Sequence, residues 1–255
     1  MKTPSDKPYC LSIITVVFNG GSELGPVIDS VTKARSQSEF AIEYIVVDGG
    51  SGDGTVDLIT GRSGEIDQWI SEPDKGLYDA MNKGIQLARG EWLYFLNCGD
   101  HLLTVPDCLQ NTANHYDIVS GRVLINGWYP FPQGWNWLFR FGNYLHHQGT
   151  FYRSDRMMPY DLKYRIAADI NNNQRMYKAG YSCLIVADLV AIHNSNGVSS
   201  DRIKRIERYR VLYDNFGISG VLGGSVLHLA RGLKYHAKKL MFRPQTTSYL
   251  TEHHP

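Results

Sequence analysis

The chain has 255 residues, 43% of them hydrophobic and 20% charged, with a formal net charge of +1, enough for one large α/β domain carrying an appendage. The four cysteines (Cys10, Cys98, Cys108 and Cys183) form no C-x-x-C pair, which argues against a disulfide framework and a zinc site and points to a reducing compartment. The polar start from Met1 to Pro8 lacks the apolar core of a secretion signal, and no apolar run approaches the ~18 residues that span a bilayer.

Leu11 to Phe18 is a continuous, largely β-branched run ending in Asn19-Gly20 and predicts a buried strand. Ser22 to Arg35 predicts a helix weakened by Gly25-Pro26, and Glu43 to Val47 a second buried strand. Asp53-Gly-Thr opens a short helix reaching about Gly61, and a third strand follows near Asp67 to Ser71. The clearest helix is Leu77 to Arg89, with Leu77, Ala80, Met81, Ile85 and Ala88 on one face and Gly90 as its stop. Strand Glu91 to Leu96 then runs into Asn97-Cys98-Gly99-Asp100. Beyond it the pattern gives a helix near Pro106 to Asn114, strands at Asp117 to Ser120 and Arg122 to Asn126, and an aromatic stretch from Gly127 to Tyr144. Helix Ile170 to Ala179 stops at Gly180, strands Cys183 to Ala187 and Val190 to His193 follow, and two helices close the chain. Strands and helices alternating through short joints predict a mainly parallel sheet.

In such a sheet, ligands sit outside the carboxyl ends of the strands, where Asp48 and Asp100 both fall. The first strand is not followed by G-x-G-x-x-G, which argues against a dinucleotide fold, and no Gly-Lys-Ser/Thr ending supports a P-loop. A nucleotide held by its base and a metal-bound diphosphate remains.

With Asp48 and its Gly-rich turn, D-K-G-L-Y-D-A-M-N-K-G (Asp74 to Gly84), L-N-C-G-D (Leu96 to Asp100) and Ala168-Asp169 in this order, the chain resembles the family-2 glycosyltransferases of GT-A fold. The likeness covers about Leu11 to Ser199 and is strongest to bacterial enzymes of exopolysaccharide and O-antigen assembly. It implies a central, mainly parallel sheet flanked by helices, with a nucleotide-binding half and an acceptor half. It also implies a UDP- or GDP-sugar donor, a Mg or Mn cofactor and inverting transfer to a saccharide acceptor, carried on a polyprenyl lipid. Carried over by position, Thr15, Val17, Asp48, Asp79 and Asn97 would bind the nucleotide. Asp100 and His193 would hold the metal, Asp169 would be the general base, and His147 and Gln148 would touch acceptor. The motif commonly offers more than one carboxylate, whereas Asn97 and Gly99 leave Asp100 alone here, and Ala168 stands where glutamate is common.

Each position has a plainer reading. Asp53 and Asp169 are natural helix caps, Asp79 fits a solvated first turn, and His146-His147-Gln148 fits an ordinary loop before a strand. Trp128, Tyr129, Trp135 and Trp137 fit a lid or core as well as a sugar platform. Ten Lys and Arg lie between Arg202 and Arg243 against Glu207 and Asp214. We therefore expect a catalytic unit over 1–200 and basic helices over 201–255 that attach peripherally to the cytoplasmic face of a membrane without binding nucleic acid. In Val221 to Phe242 the apolar face is Leu222, Val226, Leu229, Leu233, Ala237 and Leu240. The alternatives are a nucleotidyltransferase that makes the donor and a silent nucleotide-binding module.

Overall fold

A computed structural model describes residues 7–194 and 201–241, with side chains other than those of 129, 201, 202 and 231–241. The amino-terminal half alternates β1 (Tyr9–Val17), α1 (Gly21–Gln37), β2 (Ile42–Asp48), α2 (Thr55–Gly61), β3 (Gln68–Ser71), α3 (Leu77–Leu87) and β4 (Gly90–Phe95). Then come β5 (His101–Leu102), α4 (Leu109–Thr112), β6 (Ile118–Ile125), β7 (Tyr129–Pro130), β8 (Thr150–Arg153), α5 (Ala168–Lys178), β9 (Cys183–His193) and α6 (Asp201–Met241).

The sheet runs β3-β2-β1-β4-β8-β6-β9-β5, with β7 beside β6. The β3-β2-β1-β4 half is parallel, and Val17, Asp48 and Ser71 lie level at its tips. Every residue of β2 is buried, as a central parallel strand requires. Helices α1, α2 and α4 cover one face, while α3, α5 and the start of α6 cover the other.

Glu43 lies in that all-buried strand. Its carboxylate accepts from Ser12 Oγ (2.6 Å), Gln68 Nε2 (2.7 Å), Arg89 N (2.8 Å) and Arg89 Nε (2.7 Å). Burial pushes this carboxyl up, but the Ser12, Arg89 and Gln68 donors outweigh it and hold the group below its ordinary value.

Several local expectations change. Gly90 is no helix stop: α3 ends two residues before Arg89, and Gly90 opens β4, where a Cβ would come within 2.5 Å of Ser12 N on β1. The strands expected on either side of Gly121 are one strand, whose register against β9 shifts between Ser120 and Arg122. Cys183 to His193 is likewise continuous. The helix expected from Pro106 is reduced to α4.

The first half of α6, past the boundary expected at residue 200, packs on the residues before it. The first half of α6 buries Val211 and Leu212, and Glu207 accepts from Arg165 N (2.9 Å), Ile166 N (2.8 Å) and Ala167 N (3.0 Å). Gly217, at φ 63° and ψ −155°, breaks α6 into two helical halves. The second half exposes Ile218, Leu222, Val226 and Leu229. Leu233, Ala237 and Leu240 lie outside the described side chains.

Candidate active site

The strand tips are joined by their loops. Asp53 accepts from Gly21 N (3.2 Å) and Thr55 N (3.1 Å), which ties the turn after β1 to the start of α2. Asp53 is therefore a turn-tying residue. Asp48 is fully buried; it accepts from Gly50 N (3.1 Å), Ser51 N (3.0 Å), Ser71 Oγ (2.6 Å) and Ser51 Oγ. Burial raises this carboxyl, and the Ser51 and Ser71 hydroxyls with the two amides bring it below its ordinary value. The charge organises the Gly-rich turn, leaving only the remaining side of Oδ1 for a ligand donor.

Thr15 does not line the edge. It is fully buried, and its hydroxyl accepts from Tyr44 Oη at 3.2 Å. Val17 is 5% exposed and faces the same core. Asp79 reaches back to accept from Lys75 N (3.0 Å), stabilising the start of α3, and lines a cavity of about 400 Å³ with Lys75, Tyr78 and Arg165.

Antiparallel β5 and β9 pair His101 with Ile192, so Asp100, just before β5, and His193, the last residue of β9, meet. Asp100 Oδ1 lies 2.9 Å from His193 Nδ1 and accepts from Asn194 N (2.9 Å), while Oδ2 accepts from Gln148 Nε2 at 2.5 Å. Asp100 is 2% exposed. Gln148 is wholly buried, so its side chain belongs to the Asp100 group and not to an open acceptor surface.

The second junction comes from β8, which inserts antiparallel beside β4 and brings the His146-His147-Gln148 turn against Asn97. Asn97 Nδ2 donates to His147 Nε2 at 3.0 Å, which leaves the His147 Nδ1 hydrogen facing Asp169 Oδ2 at 3.5 Å. Tyr78 Oη lies 2.8 Å from Asp169 Oδ1 and 2.8 Å from the Ile166 carbonyl. The His146 ring stands 5.4 Å from that of His147 and 4.9 Å from that of His193, joining both clusters. Burial, then the two neighbouring histidines, push His146 well below its ordinary value, so it is neutral at pH 7.

Asp169 stands in the first turn of α5 without capping it; Glu207 on α6 takes the amides just before the helix. Burial alone would raise the Asp169 carboxyl. His147, with Tyr78 behind it, outweighs burial and holds it below the ordinary value, ionised at neutral pH. Tyr78 is pushed well above its ordinary value by burial and by Asp169, so it keeps its proton. Asp169 lines a cavity of about 310 Å³ with His146, His147, His193 and Arg208. Tyr78 lies in the motif Asp74 to Gly84, but nothing in the local sequence shows that it or Glu207 reaches Asp169 or the loop before it, because those partners are distant in the chain.

Among the described residues no group of three or more His, Cys, Asp or Glu is set to hold a metal ion. Asp100 already receives three donors, but the buried oxygens Asn97 Oδ1 and Gln148 Oε1 have no partner. This surrounding, mostly oxygen with the His193 imidazole beside it, suits a divalent cation that takes most of its ligands from phosphate and water, and does not suit one held by protein alone. The aromatic stretch divides: Trp135 packs on Phe139 and Tyr177, while Trp128 and Trp137 are 82% and 65% exposed. Among the described residues no helix is long and apolar enough to cross a membrane.

Residues 12–179 match the family model described as glycosyl transferase family 2. An uncharacterized glycosyltransferase of Mycobacterium tuberculosis is 30% identical over 211 residues, covering 75% of this chain and 78% of the relative. A PGL/p-HBAD biosynthesis glycosyltransferase of the same species is 32% identical over 183 residues, 65% of this chain and 69% of the relative. Among solved structures, the S. aureus TarS 1–349 fragment in complex with UDP superposes with a TM-score of 0.59 at 16% identity, over 80% of this chain. The match spans 64% of that fragment's length. The mannosyltransferase PcManGT from Pyrobaculum calidifontis, in complex with GDP-Man and Mn²⁺, gives 0.59 at 15% identity, over 92% of this chain and 76% of that one. The fold is of the GT-A type that the motif order predicts.

Proposed function

The chain belongs to glycosyl transferase family 2 and is a glycosyltransferase, and from that premise we propose that it is an inverting, metal-dependent enzyme. It moves one sugar from a UDP- or GDP-sugar to a saccharide acceptor carried on a polyprenyl lipid at the cytoplasmic membrane face, in glycoconjugate assembly. The observation that carries this reading is Asp169: ionised, lining one cavity, and held on its other oxygen by Tyr78, which lines a second.

One base on the face opposite the leaving group gives inversion. As the acceptor oxygen bonds to the sugar's anomeric carbon, the bond from that carbon to the diphosphate oxygen breaks with its electron pair. The hydroxyl proton passes to Asp169, and the nucleoside diphosphate departs. A positioned base typically contributes ~10²–10⁴-fold. Tyr78 and His147 hold the Asp169 carboxylate, and among the described residues no second carboxylate contacts it to form a covalent intermediate.

Asp100 and His193 would hold the divalent cation, with Asn97 and Gln148 behind them. A cation so bound acts as Lewis acid and template for the departing diphosphate. The bound UDP of one fold neighbour and the GDP-Man and Mn²⁺ of the other support a nucleotide-sugar donor and a metal. Asp48 and Asp79 fix the turn and helix start at the nucleotide end. His147 aligns the base.

A thermal-shift screen of nucleoside diphosphates and their sugars, with Mg²⁺ or Mn²⁺, tests the reading. The expected result is stabilisation by UDP or GDP that depends on the cation, followed by slow donor hydrolysis that Asp169→Asn abolishes. No response to any nucleoside diphosphate would overturn it.

A further inference from the structure

Beside the Asp169 cavity lies another, open one of about 460 Å³, lined by both halves of α6, by α5 and by the end of the turn Trp137–Phe141. The two cavities adjoin, since Asn143, Ile170 and Arg208 line both. Lys204, Arg205 and Arg208 stand at helical spacing on its wall, with Tyr209, Phe141 and His228 around them, and among the described residues no acid lines it. Glu207, on the same turn of helix, faces away and is held by the three amides before α5. That contact fixes the register between the cations and Asp169, two residues past Ala167.

The other walls mix apolar Phe141, Ile170 and Leu212 with polar Asn143 and Gln174, and the helix halves meet closely. A Cβ on Gly223 would come within 2.3 Å of the Phe141 ring, and one on Gly224 within 2.5 Å of Leu212 Cδ1. Glycine lets the second half of α6 close over the cavity, and the outer side of that half exposes Ile218, Leu222, Val226 and Leu229.

We propose that this cation-lined cavity is the acceptor subsite, and that it binds a phosphate or diphosphate group carried by the acceptor next to the hydroxyl that Asp169 deprotonates. The inference rests on the transferase reading above and names the acceptor's chemical class. Lys204 and Arg205 beside Arg208, with no acid lining the cavity among the described residues, favour a multiply charged anion, and Arg supplies the planar fork that matches phosphate oxygens. The phosphate's source is either a lipid headgroup, whose tail would leave along the exposed apolar face, or a soluble phosphosugar.

The full chain is titrated with farnesyl diphosphate, farnesol and inorganic pyrophosphate, each with the donor site filled by the nucleoside diphosphate found above. We expect farnesyl diphosphate to bind at least tenfold more tightly than farnesol. The Lys204→Gln/Arg205→Gln double variant should lose tenfold or more of that affinity while binding the nucleoside diphosphate as wild type does. The charge-keeping Lys204→Arg/Arg205→Lys pair should retain both, which separates charge from folding. Tighter binding of farnesyl diphosphate than of pyrophosphate identifies a lipid-linked acceptor, and equal binding identifies a soluble phosphosugar; either supports the subsite. Equal binding of farnesol, or no loss in the neutral double variant, overturns it. Failure of the nucleoside diphosphate itself to bind would instead overturn the transferase reading.

Discussion

The hydroxyl of Tyr78, in the first turn of α3, lies 2.8 Å from Oδ1 of Asp169, in the first turn of α5 and 91 positions later in the chain. Removing it as Tyr78→Phe takes one donor from the base and leaves the ring packed on Tyr160. Because Tyr78 helps hold the Asp169 carboxyl down, its loss raises that carboxyl. The acid limb of the pH–rate profile then moves to higher pH and kcat falls about tenfold or more, in line with the ~1.5–3 kcal/mol of a hydrogen bond to a charged group. An unchanged profile would remove Tyr78 from the site.

Asp169→Asn keeps the shape and removes the proton acceptor. We expect kcat to fall ~10²–10⁴-fold with the donor KM within a few-fold. Steady-state kinetics with saturating donor measures it. Comparable loss in KM and none in kcat would mean that Asp169 binds substrate and does not take its proton.

Glu207 satisfies three backbone amides that no helix bond reaches. Glu207→Ala leaves them short of partners, at ~1–3 kcal/mol for each that water cannot replace. The urea midpoint should drop by an amount equal to about 3 kcal/mol, and activity should fall with it because the same amides lead into Asp169. Glu207→Gln, which keeps acceptor oxygen, should lose less.

Glu43 offers a pH test. Its folded carboxyl lies below the ordinary value, so its stabilisation is fully present above the unfolded value of about 4.3 and is lost as pH falls through the lower folded value. The stability difference between wild type and Glu43→Gln should be level from pH 7 to about pH 5 and shrink below about pH 4. A difference that grows in acid would contradict the sign.

Exposed Leu222, Val226 and Leu229 with the basic carboxyl-terminal residues should carry the chain to anionic lipid, at ~1 kcal/mol for each Lys or Arg near the surface. Flotation with phosphatidylglycerol vesicles should exceed that with phosphatidylcholine and fall in high salt. Replacing the three side chains by serine should reduce it; equal flotation would leave the tail a solvated helix.

Sequence alone determined the elements whose signal is local. β-branched runs closed by glycine turns marked β1 and β2, a regular apolar face marked α3, and the order of Asp48, Asp100 and Asp169 along the chain carried the family resemblance. Burial follows directly from such periodicity. Tertiary structure decided what those residues touch. The insertion of β8 beside β4 sets His147 against Asn97, the β5–β9 pairing sets His193 against Asp100, and Glu207 anchors α6 to the loop before Asp169. It also took Thr15 into the core and Gln148 away from the surface. Partners distant in sequence are chosen by strand register and helix packing across the whole sheet, and a local pattern holds no record of which distant strand will lie beside it.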